Sequence, residues 1–182
     1  MPRTVPASAS EAPGNYLTGA LWSAQVKATM DFLMGSGTNG VPRFKGWASS
    51  SQSIATGTTD VAITLDTEDY DSDNGHSTST NTSRYTIQVA GTYRVVALGG
   101  FAANATGNRK LGININGTAV RAGSIQQQGI ASNSWNGCVV TEVACSVGDY
   151  IEIAMWQTSG GSLSTAASLG FGPALMVCWI SS

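Results

Sequence analysis

Hydrophobic and polar positions alternate most cleanly in Tyr85-Thr-Ile-Gln-Val-Ala-Gly-Thr-Tyr-Arg-Val-Val-Ala97. Tyr85, Ile87 and Val89 are separated by Thr86 and Gln88, a period of two that gives a strand one apolar and one wet face. Ala90-Gly91 interrupts the run, and Tyr93, Val95 and Ala97 resume it. The spacing predicts two antiparallel strands joined by a tight turn at the glycine. Further short strands are expected at 43–48, 53–55, 61–65, 110–116, 118–122, 134–143, 150–157 and 174–180. Asn116-Gly117 is a strong hairpin signal between two of them, and Val147-Gly-Asp-Tyr150 marks another turn.

The period changes to that of a helix only once, from Thr18 to Met34. Thr18 can cap its start and Gly35 can end it. Trp22, Val26, Met30 and Leu33 fall on one stripe, away from Ser23, Gln25, Lys27 and Asp31. That stripe has two readings: it packs on the chain's own sheet, or it docks on a neighbouring subunit or particle. Before it, residues 1–17 are rich in Pro, Ala, Ser and Gly, an arm that cannot fold alone and is expected to lie on another chain. After it, Gly35-Ser-Gly-Thr-Asn-Gly40 reads as a flexible linker. The organisation predicted is an attachment region over 1–40 and an all-β sandwich over 41–182.

Several segments carry a family resemblance. The run Tyr85…Ala90-Gly-Thr-Tyr93 resembles the core strand pair of C1q/TNF-like jelly rolls. Asp69-Tyr-Asp71, Leu111-Gly-Ile-Asn-Ile-Asn-Gly117, Val147-Gly-Asp-Tyr-Ile-Glu-Ile153 and Phe171-Gly-Pro-Ala-Leu175 follow in the matching order. The phage branch of that superfamily is similar at His76-Ser-Thr…Asn81-Thr-Ser-Arg84, Phe101-Ala-Ala-Asn-Ala-Thr-Gly-Asn-Arg109 and Gln157-Thr-Ser-Gly-Gly-Ser-Leu163. The helix opening, Leu17-Thr-Gly-Ala-Leu-Trp22, resembles that of small bacteriophage structural proteins, departing at Ser23, where Asn is frequent. The resemblance implies a jelly roll with an N-terminal arm and one short helix, a homotrimer, and a role in adhesion or display on a virion. It leans towards the tail, with capsid decoration or host recognition as alternatives.

Composition sharpens that picture. Charged residues are 11% of the chain, against about 25% in ordinary globular proteins. A charge-poor surface with five Trp and five Tyr suggests extensive covering by partner chains. A net charge of −2 argues against nucleic-acid binding. No apolar run reaches the roughly 18 residues of a membrane span. The first residues lack a signal-peptide h-region, so synthesis in the host cytoplasm and residence in the virion are expected. Cys138, Cys145 and Cys178 make neither a metal spacing nor a complete disulfide set.

Candidate chemistry is sparse. The single histidine, His76, is the only imidazole available to a Ser–His–Asp triad, and a loop-anchoring role is the preferred reading. No catalytic residue, cofactor or enzyme activity is expected. Asp66, Glu68, Asp69, Asp71 and Asp73 put five of eleven acids into eight positions, and oxygens at alternate positions suit Ca²⁺. The EF-hand pattern fails at Asn74 and Thr80, so a solvated acidic loop or an intersubunit contact is preferred. Gly99-Gly100 and Gly160-Gly161 sit at strand ends and are not phosphate loops. Three Asn-x-Ser/Thr sequons, at Asn81, Asn104 and Asn116, are not expected to be modified in a phage protein. Trp135, in Ser-Asn-Ser-Trp-Asn-Gly, is the expected aromatic contact for a host-surface glycan.

Overall fold

A computed structural model describes residues 5, 6, 12, 14, 16, 18–35, 40–167 and 170–182. Among the described residues, twelve strands follow the helical segment: β1 Arg43–Trp47, β2 Ser53–Ile54, β3 Val61–Ala62, β4 Thr67–Asp71, β5 Arg84–Thr86, β6 Gly91–Phe101, β7 Asn108–Ile115, β8 Thr118–Gln128, β9 Trp135–Cys145, β10 Tyr150–Gln157, β11 Leu163–Ser164 and β12 Ala174–Ser181. One sheet has the order β4-β1-β12-β6-β9. The other has β3-β10-β7-β8, with β5 also on β10, and β2 pairs β11 separately. All these strand pairings are antiparallel.

The inward faces supply one core. Phe44, Tyr93, Val95, Ala97 and Leu175 from the first sheet, and Tyr85, Leu111, Ile113, Ile151 and Ile153 from the second, are fully buried. Side chains at alternate positions of both sheets meet between the layers, as a sandwich requires. Asn116 and Gly117 take φ of 51° and 76°, the left-handed pair that a two-residue hairpin between β7 and β8 needs.

The tight hairpin expected at Tyr85–Ala97 is not there. Tyr85 pairs with Ile151 in the second sheet, whereas β6 lies between β12 and β9 in the first. Residues 87–90 carry the chain across the sandwich. Alternation identified both strands and their buried faces, but period two is silent on partners. The Tyr93 hydroxyl ties the crossover down by donating to the Val89 carbonyl at 2.5 Å. Gly91 is required there, since a Cβ would collide with the Trp179 indole and the Ser181 carbonyl.

The helix is not a uniform α-helix. α1, Gly19–Leu21, runs into a π-helical stretch, Trp22–Lys27, and then α2, Ala28–Met34. Thr18 does cap it, its hydroxyl accepting from the Leu21 N–H at 3.2 Å. Within the wide turn the Thr29 hydroxyl donates to the Gln25 carbonyl at 2.7 Å, a back-bond that competes with the regular ladder. The contact with the barrel is made by Phe32, 5% exposed, whose ring meets Trp179 edge-on at 5.2 Å and 88°. Of the arm, Val5 packs against the core cluster, and the remainder lies mostly outside the described residues. Among the described residues, no helix is long and apolar enough to cross a membrane.

The sandwich has two unlike ends. The helix, Gly91, Trp179, the 116–117 hairpin and loop 72–83 share one end. Residues 48–60, 102–107, 129–134, 158–167 and 170–173 share the other.

Candidate functional site

The outward face of the five-stranded sheet is built as three rungs. Register aligns Lys45, Met176, Val96 and Val140 in one, and Trp47, Ala174, Leu98 and Cys138 in the next. The third carries Arg43, Cys178, Arg94 and Glu142, where Arg94 Nη2 bonds Glu142 Oε1 at 2.7 Å. Charge lies mainly towards the margins, and the centre is aliphatic and sulfur-bearing. Val140 is 56% exposed at the β9 edge, and Ile180 extends the apolar line along β12 towards the helix. Polar sheet faces need no partner, whereas an apolar one of this kind marks an interaction surface.

On the helix, Trp22, Met30 and Leu33 are 48%, 50% and 60% exposed, and Val26 is half-buried. Phe32 is buried, and Leu21, Gln25, Val26, Ala28 and Thr29 are half-buried. Three of the four stripe residues, Trp22, Met30 and Leu33, therefore face away from the barrel, and Val26 is partly covered. The residue that anchors the helix, Phe32, was missed because it falls beside the stripe. Its partner Trp179 lies some 150 residues away in sequence.

The acidic stretch is not a loop. Residues 67–71 form the edge strand β4, which sends successive side chains to opposite faces. Asp66 accepts from the Ser49 N–H and hydroxyl at 2.7 and 2.6 Å, which holds its carboxyl below the usual range. Asp69 meets Lys45 Nζ at 2.5 Å and is lowered for that reason, while the same pairing raises Lys45. Asp71 accepts from the Asp73 and His76 N–H groups, and Glu68 Oε1 lies 2.6 Å from His76 Nδ1. Among the described residues, no three His, Cys, Asp or Glu side chains gather as a metal site. The alternation of β4 and these separate bonds disperse the five acids that spacing alone grouped for Ca²⁺.

His76 has no exposed side-chain surface. Its ring packs on Phe44 at 4.9 Å, and Nε2 lies 3.0 Å from the Thr82 carbonyl. Both ring nitrogens face loop and strand acceptors, so the imidazole ties loop 72–83 to β4.

Trp135 corrects an expectation. It opens β9, is 2% exposed, and donates from Nε1 to Gln127 Oε1 at 2.8 Å. No sugar can stack on it. It belongs instead to a polar layer closing the loop end of the core. Gln157, Arg109 and Gln127 are adjacent in register across β10, β7 and β8. The buried Arg109 guanidinium donates to the Thr106, Asn108 and Asn104 carbonyls at 2.9 to 3.0 Å, and burial lowers its pKa. Gln157 Nε2 donates to the Ile54 and Gly161 carbonyls. The segments Phe101–Arg109 and Gln157–Leu163 thus fold into one clamped loop cluster.

A groove of about 580 Å³ opens at the loop-end corner of the first sheet, between β1, β4 and residues Ala167, Gly170, Gly172 and Pro173. Trp47 is the indole that lines it. Sequence reasoning passed over Trp47 because it sits inside a strand, where an aromatic reads as core.

No protein-family model matches this sequence, and no curated protein sequence does. Solved structures are similar in fold. The globular domain of zebrafish complement 1qA aligns with a TM-score of 0.54 at 13% identity, covering 76% of this chain and 97% of that one. Murine APRIL, in its pH 5.0 crystal structure, aligns with a TM-score of 0.57 at 8% identity, covering 77% and 99%. The chain has an all-β jelly-roll fold of the C1q and TNF kind.

Proposed function

We propose that this chain is a non-catalytic structural protein of a bacteriophage virion. It acts as a homotrimer, displays its jelly roll on the particle surface, and is anchored to other virion proteins through residues 1–34. The observation that carries the assembly is the outward face of the first sheet. Its centre, Val96, Leu98, Val140 and Met176, is apolar on a chain with 11% charged residues. In a cyclic trimer each copy presents that face to a different surface of the next, which closes the ring and leaves no face unsatisfied. The anchoring role rests on the outward stripe of Trp22, Met30 and Leu33. The virion assignment, and the preference for the tail over the capsid, rest on the phage-like segments and the helix opening.

Sedimentation of the intact chain at micromolar concentration tests the assembly. A trimer is expected for the native chain, and Val140→Glu is expected to dissociate it with its melting cooperativity kept. A native monomer overturns the trimer. Electron microscopy of particles labelled with an antibody to this chain tests the location, and particles without label overturn the virion role.

A further inference from the structure

We infer that a second cleft, between loop 72–83 and the outward side of β5 and β10, binds an acidic sugar through Arg84. It lies on the second sheet, away from the apolar face of the first, and the inference is independent of the assembly argued above. Tyr85 is buried in the core, and alternation turns its neighbours Arg84 and Thr86 outward into the cleft. The volume of about 290 Å³ sits at the lower bound of the roughly 300–1,000 Å³ of ligand sites, which suits a single sugar ring.

Arg84 is aimed by its surroundings. Its Nε donates to Glu152 Oε1 at 3.2 Å, and its guanidinium lies 4.1 Å from the centre of the Tyr150 ring. Glu152 is buried, and the Ser83 hydroxyl donates to the same oxygen at 2.8 Å. The Nε edge is therefore taken and the stack sets the plane. The Nη end has no partner among the described residues, and its two parallel N–H groups match a carboxylate. His76 also borders the cleft, but its imidazole is turned inward, which leaves Arg84 as the charged side chain that meets a ligand there.

The rest of the lining selects hydroxyls. The side chains of Asn74, Thr80, Asn81 and Thr86 border the cleft and make no hydrogen bond among the described residues. They set amide and hydroxyl groups around one cation. An apolar acid leaves them to water, whereas a sugar acid engages both them and the guanidinium. The wall is held in place as well. The His76 ring ties loop 72–83 to β4, and the Thr86 N–H donates to the Gly75 carbonyl at 2.7 Å. Preorganisation of this kind removes part of the ordering cost of binding.

The test uses the full chain with glucuronate, galacturonate and N-acetylneuraminate, against glucose, galactose and N-acetylglucosamine as neutral sugars, at millimolar concentration. Binding is read by saturation-transfer difference NMR, with acetate and inorganic phosphate as competing bare anions. At least one acidic sugar is expected to bind about tenfold more tightly than the neutral ones. Arg84→Gln is expected to weaken it about tenfold. Asn81 has a φ of 51°, so Asn81→Gly keeps the backbone, removes the amide and is expected to weaken binding too. Both variants are checked by thermal melting. Arg84→Gln strips a partner from the buried Glu152, so Asn81→Gly decides if that variant fails to fold. If no acidic sugar binds, if neutral sugars bind equally, or if binding is unchanged in Asn81→Gly, the proposal falls. If acetate or phosphate competes as tightly as the sugar binds, the cleft is a bare anion site, and the sugar is overturned while the trimer stands.

Discussion

Cys145 ends β9 with its thiol buried, and burial, aided by nearby Asp149, pushes its pKa from 9.0 up to about 11. The unfolded thiol ionises first as pH rises. The stability linked to this group is therefore complete below pH 9.0 and lost between 9.0 and about 11. Thiolate is the reactive form, so Cys145 should be inert at pH 8. In iodoacetamide labelling of the single chain released by Val140→Glu, followed by peptide mass analysis, Cys138 and Cys178, both exposed in the monomer, should react before it. Early labelling of Cys145 in the folded chain would contradict its burial. Asp149 titrates in the opposite sense. Its carboxyl is held low by the Asn116 side chain and the Ser146 N–H, so its contribution is present at neutral pH and lost in acid.

Among the elements, the polar layer Gln157–Arg109–Gln127 is the part whose loss should cost most. Arg109→Ala leaves the Asn104 and Thr106 carbonyls without their guanidinium donor, while the Asn108 carbonyl keeps the Thr158 N–H. At about 1 kcal/mol apiece this gives a loss of roughly 2 kcal/mol. Thermal denaturation should show a fall of roughly 4–8 °C, and hydrogen exchange should rise first in loop 102–107. An unchanged melting point would mean that water replaces the guanidinium. None of this was legible beforehand, because Arg109, Gln127 and Gln157 look like ordinary polar positions of alternating strands. Only the pairing of β7 with both β8 and β10 makes them one layer. The strands themselves were legible: β1, β6, β7, β9, β10 and β12 lie where alternation and turn residues placed them, because one face of each is buried. β4 was taken for a loop because its acids outweigh its pattern at an exposed edge, where charged residues discourage further pairing. The helix was legible as an element but not in its mid-helix widening or in the side it turns to the barrel. The Trp47 groove joins residues far apart in the chain, and no local spacing encodes it.

At the scale of the whole molecule, the barrel core closes with little help from the N-terminal region. Among the described residues, Phe32 and Val5 are the members of the hydrophobic core and its fringe that precede residue 40. On the proposed virion role, deleting residues 1–34 should leave a soluble barrel that melts cooperatively but no longer joins the particle. Trp22→Ala should weaken incorporation more than it lowers the melting point. Calorimetry and particle composition check both. Collapse of the truncated chain would make the helix part of the core, and normal incorporation would place attachment on the barrel.

The position of β1 has a mechanical consequence. β1 begins at the helix end, and its neighbours are β12 on one side and β4 on the other. A pull on the chain just before β1 runs along the strand, so both ladders are loaded in shear. Their hydrogen bonds must then yield together instead of one after another, as they would if an edge strand were peeled away. A barrel held by its N-terminal side is thereby suited to bearing tension, and the strand that receives the load is the one secured on both flanks.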